Sequence, residues 1–204
     1  MADRTPTDPR VEILERTPLY RGFYNAEKFR LRHRRFDGTW SEAMDREVFV
    51  RPPAAAVLPY DPARDAVVLI EQFRIGAYVA GVEPWLIEVV AGIMEPGETP
   101  DEVARREAIE EAGCHILALE PIGRILPSPG ADSELIELYC GKVDSAEIGG
   151  LHGLAHEHED IRAFVLPFAD AFARITKAEV TNANALIALQ WLALNRDRLR
   201  RAWC

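Results

Sequence analysis

The stretch that decides the fold is Gly92–Cys114, GIMEPGETPDEVARREAIEEAGC. The TPDE sequence from Thr99 to Glu102 carries the signals of a helix start: a threonine N-cap, a proline at the first helical position and a glutamate that completes a capping box. Gly113 supplies the stop, because glycine readily adopts the left-handed backbone conformation that ends helices. The segment therefore predicts one helix between Thr99 and Gly113.

This helix carries three carboxylates on one face. Glu107, Glu110 and Glu111 fall within an arc of about 100° at 3.6 residues per turn. Unpaired, they would repel one another, so either a neighbouring arginine or divalent cations must neutralise them. An all-oxygen ligand set favours Mg²⁺ or Mn²⁺ over zinc, whereas a merely solvated acidic face needs no ion. The adjoining face carries small residues that permit close packing: Ala104, Ala108 and Ala112.

Apolar runs on both sides of this segment predict a sheet. The runs at 54–60 and 66–72 are nearly continuous, which indicates burial on both faces. An Asp-Pro pair at 61–62 separates them. The pattern predicts an α+β fold in which helices flank a mixed sheet. Further strands are expected at 85–90, 116–125, 135–143 and 161–165, and further helices at 168–175 and 184–201.

The N-terminal region reads differently. After a polar, flexible tail at 1–10, the chain from Val11 to Pro52 is typical of strands and tight turns. Phe29, Leu31 and His33 alternate with arginines, and Phe36-Asp37-Gly38 marks a hairpin. This small antiparallel β appendage is too thin to bury a core alone. We therefore expect an appendage at 1–52 and a main domain at 53–204.

Composition narrows the function. The chain has 24 basic and 33 acidic residues, a formal charge of −9, and no basic block, which disfavours a nucleic-acid partner. An anionic substrate then needs a few arginines or bound metal. Three cysteines without C-x-x-C spacing indicate a reduced compartment and no zinc site. Neither a signal peptide nor a membrane span is evident, so we expect a cytoplasmic protein.

The helix segment resembles the Nudix box: Gly, five residues, Glu, seven residues, then Arg-Glu-aliphatic-x-Glu-Glu-x-Gly-aliphatic. The resemblance implies a Nudix fold for 53–204 and a hydrolase that uses Mg²⁺, with Mn²⁺ as the other possible ion. Ala108 and Cys114 replace larger aliphatic residues, which affects only packing. The fixed positions are occupied by Gly92, Glu98, Arg106, Glu107, Glu110, Glu111 and Gly113.

The resemblance also implies roles for single residues. Glu107 and Glu111 would bind the metal, and Glu110 would assist catalysis. The backbone carbonyl of Ala91, just before the box glycine, would add a metal ligand. Glu98 and Arg106 look structural and are expected to pair, holding the loop against the helix.

Beyond the box, nearly the whole chain resembles bacterial ADP-ribose pyrophosphatases. LYRGF at 19–23, LIEQFR at 69–74, SPG at 128–130 and NALIALQW at 184–191 look like segments of that family. Pro129 stands where ADP-ribose-specific members carry a proline. In such enzymes the β appendage swaps across a homodimer, and both chains form the substrate site. By position, Phe23 would stack on adenine, Arg74 would contact the phosphates, Arg46 would reach in from the partner chain, and Glu134 would bind near the terminal ribose. Phe23 as an interface aromatic and Arg46 as a solvated strand residue are the alternatives.

A loop after Gly149 concentrates further ionisable groups. LAHEHED at 154–160 is a near miss for the zinc-protease motif H-E-x-x-H, because Asp160 stands in place of the second histidine. The glycines before it suit a lid that closes on substrate. By resemblance Glu157 is the general base and Glu159 a further metal ligand; an exposed acidic loop is the alternative.

The resemblance implies that ADP-ribose and water give AMP and ribose 5-phosphate. Another nucleoside diphosphate sugar is the second candidate. A nucleoside triphosphate is disfavoured by Pro129 and by the N-terminal appendage. A non-catalytic ADP-ribose-binding module is disfavoured because the box glutamates are all present. No G-x-x-x-x-G-K-[ST] occurs, which argues against a P-loop kinase.

Overall fold

A computed structural model describes residues 7–204, and the chain divides into two compact units. The first comprises Met1–Pro52, as far as it is described, with Leu126–Glu134; the second comprises Pro53–Ile125 and Leu135–Cys204. Most of the tail expected at 1–10 lies outside the described residues. Residues 7–10 include a turn in which the N–H groups of Arg10 and Val11 donate to Asp8.

The first unit is built on a three-stranded antiparallel sheet in the order β1-β2-β3. Its irregularities lie in β1, where register shifts fall between Ile13 and Glu15 and between Pro18 and Tyr20. The predicted turn is present: Gly38 has φ 82° and its N–H donates to the Arg35 carbonyl. The strands are β1 Val11–Arg21, β2 Asn25–His33 and β3 Met44–Val50.

The second unit contains an eight-stranded mixed sheet. Its main path runs β10-β11-β5-β4-β9-β8, with β6 added to β5 and β7 to β4. The β4–β9 pair is parallel, whereas the other pairs are antiparallel. The strands are β4 Ala54–Asp61, β5 Ala66–Phe73, β6 Trp85–Glu88, β7 Val90–Ile93, β8 Ala118–Ile125, β9 Ile136–Lys142, β10 Gly150–His152 and β11 Ile161–Pro167.

Helices cover both faces of this sheet. Two apolar clusters form, one with α2 and the other with α3 and α4, and β4 and β5 contribute to both clusters. This explains why every residue of β4 is buried, as its apolar run predicted. Among the described helices none is long and apolar enough to cross a membrane. The helices are α1 Ile75–Val79, α2 Pro100–Ala112, α3 Phe168–Thr176 and α4 Ala183–Trp203.

The structure confirms the α+β prediction and corrects two details. The single strand expected at 85–90 is two short strands, β6 and β7, which pair with β5 and β4 respectively. The chain crosses from one neighbour to the other at Val89, and a continuous apolar run cannot reveal such a crossing. Helix α1, between β5 and β6, was not predicted because its five residues, all at least partly exposed, show no helical periodicity.

Candidate active site

Helix α2 sets the frame of the site. The Glu102 carboxylate accepts a hydrogen bond from the Thr99 N–H at 2.8 Å, as a capping box requires. At the other end Gly113 adopts the left-handed conformation with φ 63°. Both helix boundaries are therefore as the sequence predicted. One face of α2 is fully buried through Ala104, Ala108 and Ala112.

The box glycine makes room for a glutamate. Gly92 lies on β7, and a Cβ atom added there would stand 1.7 Å from Oε1 of Glu107. No side chain fits in that space unless the carboxylate moves. The close approach fixes Glu107 against β7, with only 12% of its side chain exposed.

Glu111 is the most deeply buried of the three helix carboxylates. It is 2% exposed, and its Oε2 accepts the backbone N–H of Ala91 at 2.9 Å. Burial raises the pKa of Glu111 well above its ordinary value; the Ala91 hydrogen bond opposes the shift, the charges of Glu107 and Glu159 add to it, and that of Arg74 opposes it. A buried carboxylate with a raised pKa favours either a proton or a cation.

Arg106 neutralises part of this cluster. Its Nε donates to Glu98 at 2.9 Å, which confirms the predicted pair. Its Nη1 donates to Glu107 at 2.7 Å and to Glu110 at 3.1 Å. Burial still raises the pKa of Glu107 to about 7; Arg106 opposes this shift, whereas the carboxylates of Glu110 and Glu159 reinforce it. The single positive charge of Arg106 cannot neutralise all the carboxylates that it contacts.

The loop between β10 and β11 carries two candidate glutamates, and one of them, Glu159, lies near the carboxylates of α2. Glu159 bears on the pKa of both Glu107 and Glu111, so its charge lies near theirs. Its Oε2 accepts the Leu154 N–H at 3.0 Å. Glu157 ends a short 3₁₀ helix and lies beside His156, with 56% of its side chain exposed. The loop is tied to α2 by the Gly153 N–H, which donates to the Glu110 carbonyl at 3.3 Å.

The donor set suits a hard divalent cation. Four carboxylates, those of Glu107, Glu110, Glu111 and Glu159, share one region with a net negative charge, and all offer oxygen. Within residues 7–204, no three acidic, histidine or cysteine side chains already surround a common point as metal ligands do. Each of these carboxylates is instead engaged by Arg106 or by a backbone N–H. Ala91 lies on β7, where its N–H holds Glu111.

Arg74 lies in the same unit, directly after β5. Its guanidinium pairs with Glu88, with Nη2 2.7 Å from Oε2, and 45% of its side chain is exposed. Glu88 also accepts a hydrogen bond from Asn182 Nδ2 at 3.0 Å, and neither residue was predicted from the sequence. Glu88 is a single acidic residue in an apolar strand, and that is the one signal that could have drawn attention to it.

The remaining predicted residues lie in the first unit. Glu134 is 9% exposed and pairs with Arg51 at 2.8 Å. The Arg51 guanidinium lies 4.5 Å from the centroid of the Tyr24 ring, which meets Phe23 edge-to-face at 4.8 Å. Phe23 itself is 85% exposed. The unit thus links Phe23 to Glu134 through two residues that sequence reasoning missed, because neither stands in a motif.

Arg46 is not part of that chain of contacts. It lies on β3 opposite Phe29, is exposed, and donates from Nη1 to the Asp45 carbonyl at 2.8 Å.

Comparison with known proteins gives the fold and site a family. The NUDIX domain model matches residues 50–189. The chain is 48% identical over 193 residues to the ADP-ribose pyrophosphatase of Escherichia coli strain K12, covering 95% of this chain and 92% of that protein. It is 41% identical to the ADP-ribose pyrophosphatase of Haemophilus influenzae over 95% of this chain and 90% of that one. This chain belongs to the Nudix family, whose hydrolases are generally dependent on a divalent metal.

Two further matches are more distant. The GDP-mannose pyrophosphatase of Cronobacter sakazakii is 37% identical over 73% of this chain and 78% of its own length. The crystal structure of an ADP compounds hydrolase superposes with a TM-score of 0.69, covering 98% of this chain and 99% of that one, at 20% identity. That structural match supports the fold.

Proposed function

We propose that this protein hydrolyses the pyrophosphate of ADP-ribose, giving AMP and ribose 5-phosphate. One observation carries the proposal: the chain is 48% identical, over 95% of its length, to an ADP-ribose pyrophosphatase, and it keeps every glutamate of the box, of which Glu111 is buried and Glu107 and Glu110 are half-buried beside it. A binding module without turnover would not need to retain carboxylates that repel one another.

We assign the metal, Mg²⁺ with Mn²⁺ as the alternative, to Glu107, Glu111, Glu159 and the Ala91 carbonyl. A bound divalent cation supplies positive charge for the pyrophosphate oxygens and lowers the pKa of a coordinated water. Glu111 is held for this role by the Ala91 N–H, and Glu107 by its contact with Gly92. Glu159 would bind the ion in place of the hydrogen bond that its Oε2 accepts from the Leu154 N–H.

Glu157 is the proposed general base, which accepts the proton of the attacking water. Glu157 is exposed and lies in a loop preceded by three glycines, so we expect this loop to rearrange when substrate binds. Glu110 assists catalysis from α2 while Arg106 balances its charge.

The substrate roles follow the same assignment. In the first unit we place Phe23 on the adenine ring and Glu134 near the terminal ribose, with Arg46 acting in the site of a partner chain. In the second unit we place Arg74 on the phosphates. The free thiols of all three cysteines are compatible with the proposed cytoplasmic location.

The proposed homodimer is supported by the first unit's own surface. Leu19, Tyr20 and Phe49 are 49%, 63% and 52% exposed on strands β1 and β3. A sheet this small gains stability by covering such side chains with a second copy. Sedimentation should give about twice the 22.9 kDa chain mass, and Leu19→Asp should shift the protein towards monomer. A monomeric wild-type enzyme with full activity would contradict the dimer.

A substrate panel tests the function itself. Purified protein with Mg²⁺ is offered ADP-ribose, GDP-mannose, other nucleoside diphosphate sugars and nucleoside triphosphates, and kcat/KM is measured for each. We expect ADP-ribose to be preferred by at least tenfold. GDP-mannose is the second candidate because of the 37% identical relative. Preference for GDP-mannose, or binding of ADP-ribose without hydrolysis by the wild type, would overturn the proposal.

A further inference from the structure

Glu88 is a buried carboxylate that the catalytic cluster does not use. It ends strand β6, is 3% exposed, and receives hydrogen bonds from three side chains. Gln72 Nε2 donates at 3.2 Å, Arg74 Nη2 at 2.7 Å and Asn182 Nδ2 at 3.0 Å. Burying a charge is costly unless donors compensate for it. Gln72, Arg74 and Asn182 supply these donors for the Glu88 carboxylate.

The contact between Glu88 and Arg74 uses one edge of the guanidinium group. Nε and Nη2 of the guanidinium both donate to Oε2 of Glu88, at 3.1 and 2.7 Å, so the pair is made along one edge of the arginine. Glu88 is rigidly placed, whereas Arg74 remains 45% exposed at its side chain. A long, flexible arginine is thus anchored at a buried point while part of it still faces solvent. An arginine ordered in advance loses less side-chain entropy when it binds a phosphate.

Asn182 connects this pair to a helix. Its Oδ1 accepts the Ala185 N–H at 3.0 Å as the N-cap of α4, and its Nδ2 donates to Oε1 of Glu88 at 3.0 Å. The Asn182 amide thus serves as acceptor and donor at once. Serine would still cap the helix, but it has no second group that reaches the carboxylate.

We propose that Glu88 and Asn182 are positioning residues that hold the Arg74 guanidinium in place to bind the pyrophosphate of the substrate. The proposal rests on the proposed function, in which Arg74 contacts the phosphates. Glu88 contacts neither substrate nor reacting atoms; it acts through Arg74. The competing role is a structural tie that joins β5, β6 and α4 regardless of what Arg74 does.

A double-mutant cycle separates these roles. Glu88→Gln keeps the shape but removes the charge, and Asn182→Ser keeps the helix cap but removes the donor. In the wild-type background we expect kcat/KM to fall about tenfold for Glu88→Gln and about threefold for Asn182→Ser. In an Arg74→Ala background the same changes should alter kcat/KM by less than twofold, because the residue they position is gone.

Binding supplies a second readout that does not depend on turnover. Titration calorimetry with ADP-ribose in EDTA should show Glu88→Gln weakening affinity only when Arg74 is present. Equal losses in both backgrounds, or no loss in the wild-type background, would overturn the proposal. If the substrate panel instead selects another pyrophosphate compound, the proposed function fails, and the cycle is run on that compound to judge Glu88 separately.

Asp65→Asn is the matched control. Asp65 accepts the Nε of Arg196, on α4, at 2.6 Å, so this pair also ties α4 to the sheet. Loss of the Asp65–Arg196 pair should lower the melting temperature and leave kcat/KM within twofold of the wild-type value. If it lowers kcat/KM as much as Glu88→Gln does, loosening of α4 explains both effects and the positioning role is wrong.

Discussion

Gly92 and Glu107 occupy a space that cannot hold one more carbon atom: a Cβ on Gly92 would lie 1.7 Å from Oε1 of Glu107 and 2.0 Å from its Cδ. The box glycine thus leaves space for the carboxylate of a box glutamate that lies fifteen positions further along the chain. Strand β7 and helix α2 approach each other here because one residue lacks a side chain.

Gly92→Ala should therefore act on activity more than on stability. The added methyl displaces the flexible end of Glu107, so we expect turnover with Mg²⁺ to fall by roughly 10²-fold, as for loss of a metal ligand. The unfolding free energy should fall by only about 1 kcal/mol, since the three atoms nearest the added Cβ belong to the Glu107 side chain. Gly123→Ala on β8 is the control, because its added Cβ meets nothing within 4 Å. Near-normal turnover in Gly92→Ala would mean that Glu107 need not stay where it lies.

Glu111→Gln tests the proposed ligand set. The change keeps the shape of the side chain but removes its charge, so both Mg²⁺ affinity and kcat should fall, kcat by roughly 10²-fold or more. Magnesium titrations of activity, with isothermal calorimetry of Mg²⁺ binding, measure the two effects. Glu120→Gln, at an exposed ion pair with Arg198, is the control. A Glu111→Gln enzyme that keeps normal magnesium dependence would refute the assignment.

Glu107 should lower the stability of the metal-free protein at neutral pH. Its pKa in the folded state, about 7, lies above the ordinary value of 4.5, so the folded state holds a proton that the unfolded state releases. Stability from this group is thus fully present below pH 4.5 and is lost as the pH rises to 7. In EDTA at pH 8, Glu107→Gln should melt roughly 6–12 °C above the wild type, equivalent to about 3 kcal/mol. An equal or lower melting temperature would contradict this, with pH 4 as the reference where the difference should vanish.

The two loop glutamates should differ in what they change. Losing a general base lowers kcat with little effect on metal affinity, typically by 10²–10⁴-fold, whereas losing a ligand weakens metal binding. We expect the first result for Glu157→Gln and the second for Glu159→Gln, from kcat against pH at saturating Mg²⁺ and from magnesium titrations. A Glu157→Gln enzyme that keeps more than about a tenth of wild-type kcat across the pH range shows that the loop carboxylate is not the base.

Asp61 should give the protein a contribution to stability that is lost in acid. Burial alone would raise its pKa, but hydrogen bonds from the Ser145 and Arg64 N–H groups, the Ser145 hydroxyl and the Arg64 guanidinium outweigh it and lower the pKa to about 2. Since this lies below the ordinary 3.8, the stabilisation is present above about pH 4 and is lost as the pH falls through 2.

The measurement is urea unfolding of wild type and Asp61→Asn at pH 6 and pH 2. The stability difference between them should shrink by about 2 kcal/mol at the lower pH. Asp144→Asn, at the exposed end of the same arginine, should show no such change. A difference that stays constant with pH would show that Asp61 contributes shape and not charge.

The sequence by itself determined what depends on neighbours in the chain. Helix α2 begins and ends where Thr99, Glu102 and Gly113 predict, because capping involves residues within a few positions of one another. The burial of β4 on both faces follows from its unbroken apolar run. The pairing of Arg106 with Glu98, which the resemblance to the Nudix box implied, is also present.

Only the tertiary structure decided which distant residues meet. The crossing at Val89, the pairing of Arg51 with Glu134, 83 positions apart, and the triad of Arg74, Glu88 and Asn182 depend on strand register and on where a helix packs. The register depends on both strands of a pair, and many sequences fit a given pairing, so the sequence of one strand does not determine its register. A single buried glutamate in an apolar strand predicts that hydrogen-bond donors surround it, but only the tertiary structure determines which residues supply those donors.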